Sequence, residues 1–299
     1  MKLLYLAPID ICQAENIGVI KKITSQINAF QNLGANVDFL YLKGGSYYLK
    51  KDNRYERLII RQNNTISKSK PLYDWVKRNA NKQSYNFVYI RYANDSISFI
   101  KMIKHLKRSD ISVYLEYPTF PLTHEKKIYM RYYFKNRDFK LLALASISFI
   151  KHVILSFHLK SFIKKIITYS DHINIYGIST IRLNNAIDII NIPVARHDFN
   201  QDKYIFIGVA NISPGHGYDR IIWGISNYYL AQAKNDMKKK DIIFKIVGEG
   251  IEKENLLKLV EDLDLKDKVL FSGAKYGDDL NNEFDNCDIG VGCLAIYRQ

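Results

Sequence analysis

The sequence predicts an α/β protein of two domains in series, each built on a doubly wound parallel sheet, the second incomplete. Short apolar runs rich in Ile, Val, Tyr and Phe recur along its 299 residues. Segments of helical period separate many of them, and strand alternating with helix means parallel sheets built from βαβ units. The runs are continuously apolar rather than alternating, which suits strands covered on both faces.

The first run, Lys2–Ala7, opens like a signal peptide, but Pro8 and Asp10 end it with no small-residue cleavage site. It reads as a buried first strand. A helix follows over Ile17 to Leu33, where Ile20, Ile23, Ile27 and Phe30 share one face. Further strands are expected at Val37–Leu42, Leu58–Arg61, Phe87–Arg91, Val113–Glu116 and His172–Tyr176, with a helix over Ser96–Leu106. Asn191 to Lys203 is polar, carries Pro193 and separates two strand-led series, so the expected domains are 1–195 and 196–299. The second series has strands at Tyr204–Val209, Ile242–Val247, Val269–Ser272 and Ile289–Gly292, and helices over Arg220–Ala233 and Lys253–Leu263. Four strands are thin for a doubly wound domain, so the second domain reads as cut short.

Apolar residues at 47% and charged residues at 25% exclude a mainly disordered or collagen-like chain. Lys and Arg number 44 against 30 Asp and Glu, a net charge of +14. Such a charge suits nucleic acid, an anionic membrane surface or anionic small substrates. Three cysteines, Cys12, Cys287 and Cys293, form no disulfide framework and fit a reducing compartment. Neither they nor the scattered histidines show metal-ligand spacing, so no metal site is expected. The most apolar long stretch, Leu141 to Leu159, is interrupted by Lys151, His152, His158 and several Ser. It reads as a poor membrane span, and a soluble cytoplasmic protein is expected.

Three strand ends in the second series carry glycines. Gly208 to Arg220 (GVANISPGHGYDR) is a strand, a Pro/Gly loop and a helix opening near Tyr218. Such a loop presents backbone N–H groups and a helix N-terminus to an anion, and His216 and Arg220 add side-chain donors. A plain βα turn with a surface Arg is the alternative. Gly248-Glu249-Gly250 ends the next strand, where glycines permit close approach of a ligand or simply make a tight turn. Phe271 and Gly273 lie in the third, Val269 to Ala274. Ligands of open α/β sheets sit at this carboxyl edge.

The order and spacing of VAN…HGYDR, KIVGEG, LDLKDKVLFSG and DNCDIGV resemble nucleotide-sugar-dependent glycosyltransferases of family 4. In the first half, GVIKKITSQINAFQNLGANV, YNFVYIRY, LEYPTFPLTHE and the stretch from Tyr176 to Asp188 resemble a subgroup common in bacterial surface-polysaccharide synthesis. The resemblance spans nearly the whole chain. It implies the GT-B fold: two Rossmann-like domains, the first for the acceptor and the second for the nucleotide sugar, here a UDP-sugar. It also implies transfer with retention, often without a metal, and no further cofactor. In the family's common pattern an Arg and a Lys hold the donor diphosphate; here those positions are Asn211 and His216. The donor-phosphate set implied is therefore Asn211, His216, Gly217 and Arg220, with Gly248, Glu249, Gly250, Phe271 and Gly273 for the nucleotide. The family also carries paired glutamates beyond the last strand, and this chain ends at Gln299 before them. A truncated, catalytically inactive fragment or binding module of the same fold is thus the alternative expectation.

On the acceptor side, Asn16 and Gly18 open the loop after the first strand, and His124 and Glu125 are the candidate catalytic pair for an acceptor hydroxyl. A solvated loop pair is the plainer reading of the latter. From Lys126 to Lys165 the chain holds ten Lys/Arg and one acid, Asp138, with interleaved aromatics and Ile147, Ile150, Ile154 and Phe157 at helical spacing. This reads as a basic amphipathic element for an anionic membrane surface, suited to a lipid-linked acceptor. The alternatives are a core-packing helix with a basic face or a single-strand groove. No recognised nucleic-acid module accompanies it, so no nucleic-acid partner is expected. The expected protein is peripheral on the inner face of the cell membrane.

Overall fold

The structure is a computed structural model, and it describes residues 1–13, 16–51, 54–58, 69–92, 96–184, 193–195, 202–234 and 240–295; within these, the side chains of 122, 124, 125, 128 and 232–234 are outside the description. The chain forms two compact units, Met1–Asp188 and Ile189–Gln299. The segment between the two strand series, Asn191 to Lys203, lies largely outside the described residues.

In the first unit, β1 (Lys2–Asp10) is followed by α1 (Ile17–Asn32), β2 (Asn36–Lys43), β3 (Ser46–Lys51), β4 (Arg54–Leu58) and α2 (Lys70–Asn79). Next come β5 (Phe87–Arg91), α3 (Ile97–Arg108), β6 (Ser112–Tyr117), α4 (Leu122–Lys135), α5 (Phe139–Leu159), β7 (Lys165–Thr168), β8 (Asn174–Ile175) and β9 (Ile178–Arg182). Among the described residues the sheet has the order β4-β3-β2-β1-β5-β6-β7-β9-β8. β1 pairs in parallel with β2 on one side and β5 on the other. Successive β1 side chains point to opposite faces, and both faces are covered. Leu4 and Leu6 join the core under α2 and α3, with Leu72, Val76, Phe99, Met102 and Leu106. Leu3, Tyr5 and Ala7 join the core under α1, with Ile23 and Ile27. Continuous apolarity is the consequence of this double cover.

Several elements differ from the sequence expectation. β2, β3 and β4 form an antiparallel meander, and a Gly44–Gly45 turn, with both glycines at positive φ, joins β2 to β3. β3 was not expected because SYYLKK sets aromatics beside lysines rather than forming an apolar run. Of the strand expected at Leu58–Arg61, Leu58 lies in β4 and the remainder lies outside the described residues. The single strand expected over His172–Tyr176 is instead a small hairpin of β8 and β9 about Tyr176 and Gly177, both at positive φ. β7 forms at the end of the basic segment, where Ile166 and Ile167 are buried.

The second unit comprises β10 (Lys203–Val209), a one-turn 3-10 segment at Pro214–His216, α6 (Tyr218–Lys234), β11 (Asp241–Val247) and α7 (Lys253–Asp262), then β12 (Val269–Gly273), α8 (Gly277–Phe284) and β13 (Ile289–Val291). All four described strands are parallel, in the order β12-β11-β10-β13. Its core joins Ile212, Tyr218, Ile222 and Ile225 to Phe244, Ile246, Leu256, Val260 and Val269.

Candidate functional site

Parallel strands bring all four carboxyl ends of the second unit's sheet to one edge. The strand order reverses between β10 and β13: the chain moves outward through β11 and β12, then returns to the far side of β10. At such a reversal the loops diverge and leave a crevice, which is where open α/β sheets hold ligands. The loops flanking this one are 210–217, after β10, and 292–295, after β13.

Four close approaches tie these two loops to one another across the reversal. The Leu294 N–H donates to the His216 carbonyl (3.0 Å), and Arg220 Nη1 donates to the Leu294 carbonyl at 2.6 Å. The Cys293 thiol lies 3.4 Å from the Gly215 carbonyl. Gly217 is left-handed, at φ 65°, and a Cβ there would lie 2.7 Å from Cβ of the buried Ala295. Gly217 is thus required both by its backbone angle and by its neighbour.

His216 closes the 3-10 turn. Its Nδ1 accepts the Ser213 backbone N–H at 3.2 Å and lies 3.0 Å from Ser213 Oγ. An Nδ1 that accepts leaves the proton on Nε2, so the neutral ring offers one donor. Burial lowers the His216 pKa, outweighing the Ser213 hydrogen bond that raises it. Arg220 sits in the first turn of α6, exposed, with Asn211 also exposed on the loop. The 17-residue helix α6 opens at this edge and presents its positive dipole end to it.

The space beside the two glycines that follow β11 is filled by the protein's own backbone. A Cβ on Gly248 would lie 1.8 Å from the Ala210 carbonyl oxygen, and one on Gly250 would lie 2.1 Å from that of Ile212. The β10 loop is laced to this turn by Ala210 N–H to Val247 O (3.0 Å) and Ile212 N–H to Glu249 O (2.7 Å). Gly248 and Gly250 therefore set the loop's position by close backbone approach. Glu249 pairs with Lys253 at 2.7 Å, and its Oε1 is 3.4 Å from where a Gly273 Cβ would lie, so a carboxylate stands over the end of β12. Phe271 lies within β12, packed on the unit's core.

In the first unit the order also reverses, between β1 and β5. Asn16 lies in the β1–α1 loop, where its Nδ2 donates to the Asp10 carbonyl at 2.9 Å. Gly18 is in the first turn of α1 with open space about it. His124 and Glu125 fall in the first turn of α4, and their side chains lie outside the described residues.

One centre was not singled out from the sequence. The fully buried Glu116, near the end of β6, holds Arg91, the last residue of β5, at 2.5 Å. Tyr89 donates to its Oε2 (2.9 Å), Tyr169 to its Oε1 (3.0 Å), and Gln26 of α1 reaches Oε2 at 3.3 Å. Burial, then the Glu116 charge, pushes the Tyr89 and Tyr169 phenols well up. The available signal was a pair of opposite charges ending two adjacent, otherwise apolar strands.

A parallel sheet whose order reverses beside a glycine-laced, helix-fed loop is an architecture on which α/β domains bind nucleotides. Residues 193–293 match the model of the family described as Glycosyl transferases group 1. No curated protein sequence matches the chain significantly. Among solved structures, the OtsA apo structure aligns at 9% identity and TM-score 0.57, over 98% of this chain and 78% of that one. A trehalose-6-phosphate synthase studied for glycosyl transfer with retention aligns at 7% and 0.54, over 97% and 77%. The apo form of the lipopolysaccharide outer core galactosyltransferase WaaB aligns at 12% and 0.51, over 92% and 68%. The fold is that of the GT-B glycosyltransferases, with Rossmann-like α/β units.

Proposed function

We propose that this chain is a glycosyltransferase. It moves a hexosyl group, with retention, from a UDP-sugar to a lipid-linked glycan in the assembly of a bacterial surface polysaccharide. The work is done on the cytoplasmic face of the membrane. The observation that carries the reading is the reversal of strand order between β10 and β13, whose carboxyl edge carries His216, Arg220 and the N-terminus of α6. The family match over residues 193–293 supports it. So does fold likeness to proteins described as a lipopolysaccharide galactosyltransferase and as an enzyme of glycosyl transfer with retention.

In the transfer, the bond from the anomeric carbon to the diphosphate oxygen breaks and a bond to an acceptor hydroxyl oxygen forms. Negative charge grows on the departing diphosphate. A fixed cation and oriented N–H donors stabilise that charge more in the transition state than in the ground state. Arg220 supplies the cation, His216 a neutral Nε2–H, and Asn211 and the Gly217 N–H further donors. Glu249 suits a hydroxyl of the ribose or the sugar, beside Gly248, Gly250, Phe271 and Gly273. On the acceptor side, Asn16 and Gly18 flank the entry loop, and His124 or Glu125 takes the hydroxyl proton. The donor is held by these groups rather than by a metal or cofactor.

The test is turnover. The chain is incubated with radiolabelled UDP-hexoses and a lipid extract of polysaccharide-producing bacteria. Label entering the organic phase, lost with Arg220→Ala, supports the reading; no transfer with any UDP-hexose, from a chain that binds none, contradicts it.

A further inference from the structure

Helix α5 is inverted. A helix on a water-soluble protein turns its apolar stripe inward and its polar face outward. α5 does the reverse over most of its length. Its buried residues are His152, Ser156 and Leu159. His152 is held from both sides, with Nε2 2.7 Å from the Tyr176 hydroxyl and Nδ1 3.3 Å from that of Tyr92. The outward face carries Leu144, Ile147, Ile150, Ile154 and Phe157, whose exposures run from 49% to 78%. These five recur at intervals of three and four residues, so they form one stripe. α5 is also the one described helix long and apolar enough to cross a membrane by length and composition.

Its surroundings say what covers this stripe. Lys140, Lys151 and His158 border it on one side by helical position. α4 packs beside α5, tied through Lys126 Nζ to the Ser148 carbonyl at 3.2 Å. Ten Lys and Arg against one acid lie between 126 and 165. A second copy docked by the same face would set these cations against their equals, which disfavours self-association. An anionic bilayer meets both features at once: acyl chains for the stripe and headgroups for the cations.

We propose that α5 lies in the plane of an anionic lipid surface, with Leu144, Ile147, Ile150, Ile154 and Phe157 in the acyl region and the α4–α5 lysines and arginines among the headgroups. His152 hydrogen-bonded to Tyr92 and Tyr176 ties the helix to the sheet of the first unit. The physical basis is independent of sugar transfer; the biological sense, delivery to a lipid-linked acceptor, rests on the function proposed above.

The full chain is sedimented with vesicles of phosphatidylcholine alone and of phosphatidylcholine with phosphatidylglycerol. Binding to the anionic vesicles is expected, weaker on neutral ones. In Ile150→Asp/Ile154→Asp it falls at least tenfold with an unchanged melting temperature. A Phe157→Cys chain carrying an environment-sensitive fluorophore shifts to the blue on anionic vesicles. Three results overturn the proposal: no binding to anionic vesicles; binding equal in the Asp variant, which makes it charge alone; or a dimer in solution abolished by that variant, which makes a second copy the occupant. Resistance of the bound chain to carbonate extraction overturns the in-plane placement in favour of a span. UDP binding is measured on the same samples, so loss of the lipid contact is distinguishable from failure of the donor site.

Discussion

The backbone N–H of Ser213 donates to Nδ1 of His216 at 3.2 Å, and this bond leaves Nε2 as the donor of the neutral ring. Protonating Nδ1 would set two donors against each other. The ring therefore stays neutral at pH 7, in line with its lowered pKa. On the proposed function, capture of the donor diphosphate needs no imidazolium. Affinity for a UDP-sugar, whose diphosphate does not titrate in this range, is expected to stay within twofold from pH 7 to 8.5. A tenfold fall per pH unit would show that the charged ring binds.

The same group gives a stability prediction. Its folded pKa lies below the unfolded value of about 6.5, so the unfolded state takes up the proton first. Stability contributed by the neutral ring is full above about pH 6.5 and declines as pH falls toward the folded pKa. Thermal melts of His216→Gln should show a shallower loss between pH 7 and 5 than the parent.

Arg220 connects the first turn of α6 to the loop after β13 through the Leu294 carbonyl. Arg220→Ala should weaken UDP binding tenfold to a hundredfold, the range expected for about 1.5–3 kcal/mol from a charge-assisted contact. Arg220→Lys keeps the charge and loses the fork, and should recover only part of it. Calorimetric Kd values for the three chains decide the matter.

Gly250 has no room for a side chain. A Cβ there meets the Ile212 nitrogen at 2.4 Å as well as its carbonyl oxygen, both backbone atoms that cannot swing aside. Gly250→Ala should destabilise the second unit by about 1–3 kcal/mol, the usual range for overpacking. It should also displace the 210–213 loop, so UDP binding weakens although residue 250 offers no side chain to the ligand. Denaturant melts and calorimetry on the variant check both.

Both members of the Arg91–Glu116 pair are buried, so removing one partner strands a buried charge. Arg91→Ala or Glu116→Ala should cost about 3–5 kcal/mol, whereas Arg91→Met/Glu116→Leu should be far milder. Because burial raises the Tyr89 and Tyr169 pKa values, their contribution is present below the unfolded phenol value of about 10 and is lost as pH rises above it. Alkaline unfolding followed by tyrosinate absorbance should be cooperative in the parent and shifted to lower pH in Glu116→Gln.

What the sequence made legible was what local pattern determines. Lys2–Ala7 reads as a strand because both its faces are buried, and Ile23 and Ile27 mark the inner side of α1. The strands of the second unit read within a residue or two, since each ends at a Gly or a polar loop. β3 stayed hidden because Tyr47 and Leu49 alternate with half-exposed residues, so no apolar run forms. The Arg91–Glu116 pair joins residues on separate strands, and only the register of β5 with β6 makes them neighbours. In the loop after β10, His216 and Arg220 stood out as candidates. That Ser213 fixes the ring, or that Leu294 holds the guanidinium, depends on loop closure, which residue spacing does not encode. The inward face of α5 was equally illegible, because His152 is paired by Tyr92 and Tyr176 from distant strand ends.

The central claim is that the crevice at the β10/β13 reversal holds the diphosphate of a nucleotide sugar. Calorimetric titration of the full chain with UDP, beside Arg220→Ala and His216→Ala of equal melting temperature, tests it most directly. Saturable one-to-one binding, weakened at least tenfold in Arg220→Ala and less in His216→Ala, is the predicted result. Binding of undiminished affinity in both variants, or no saturable binding by the folded parent chain, would contradict it.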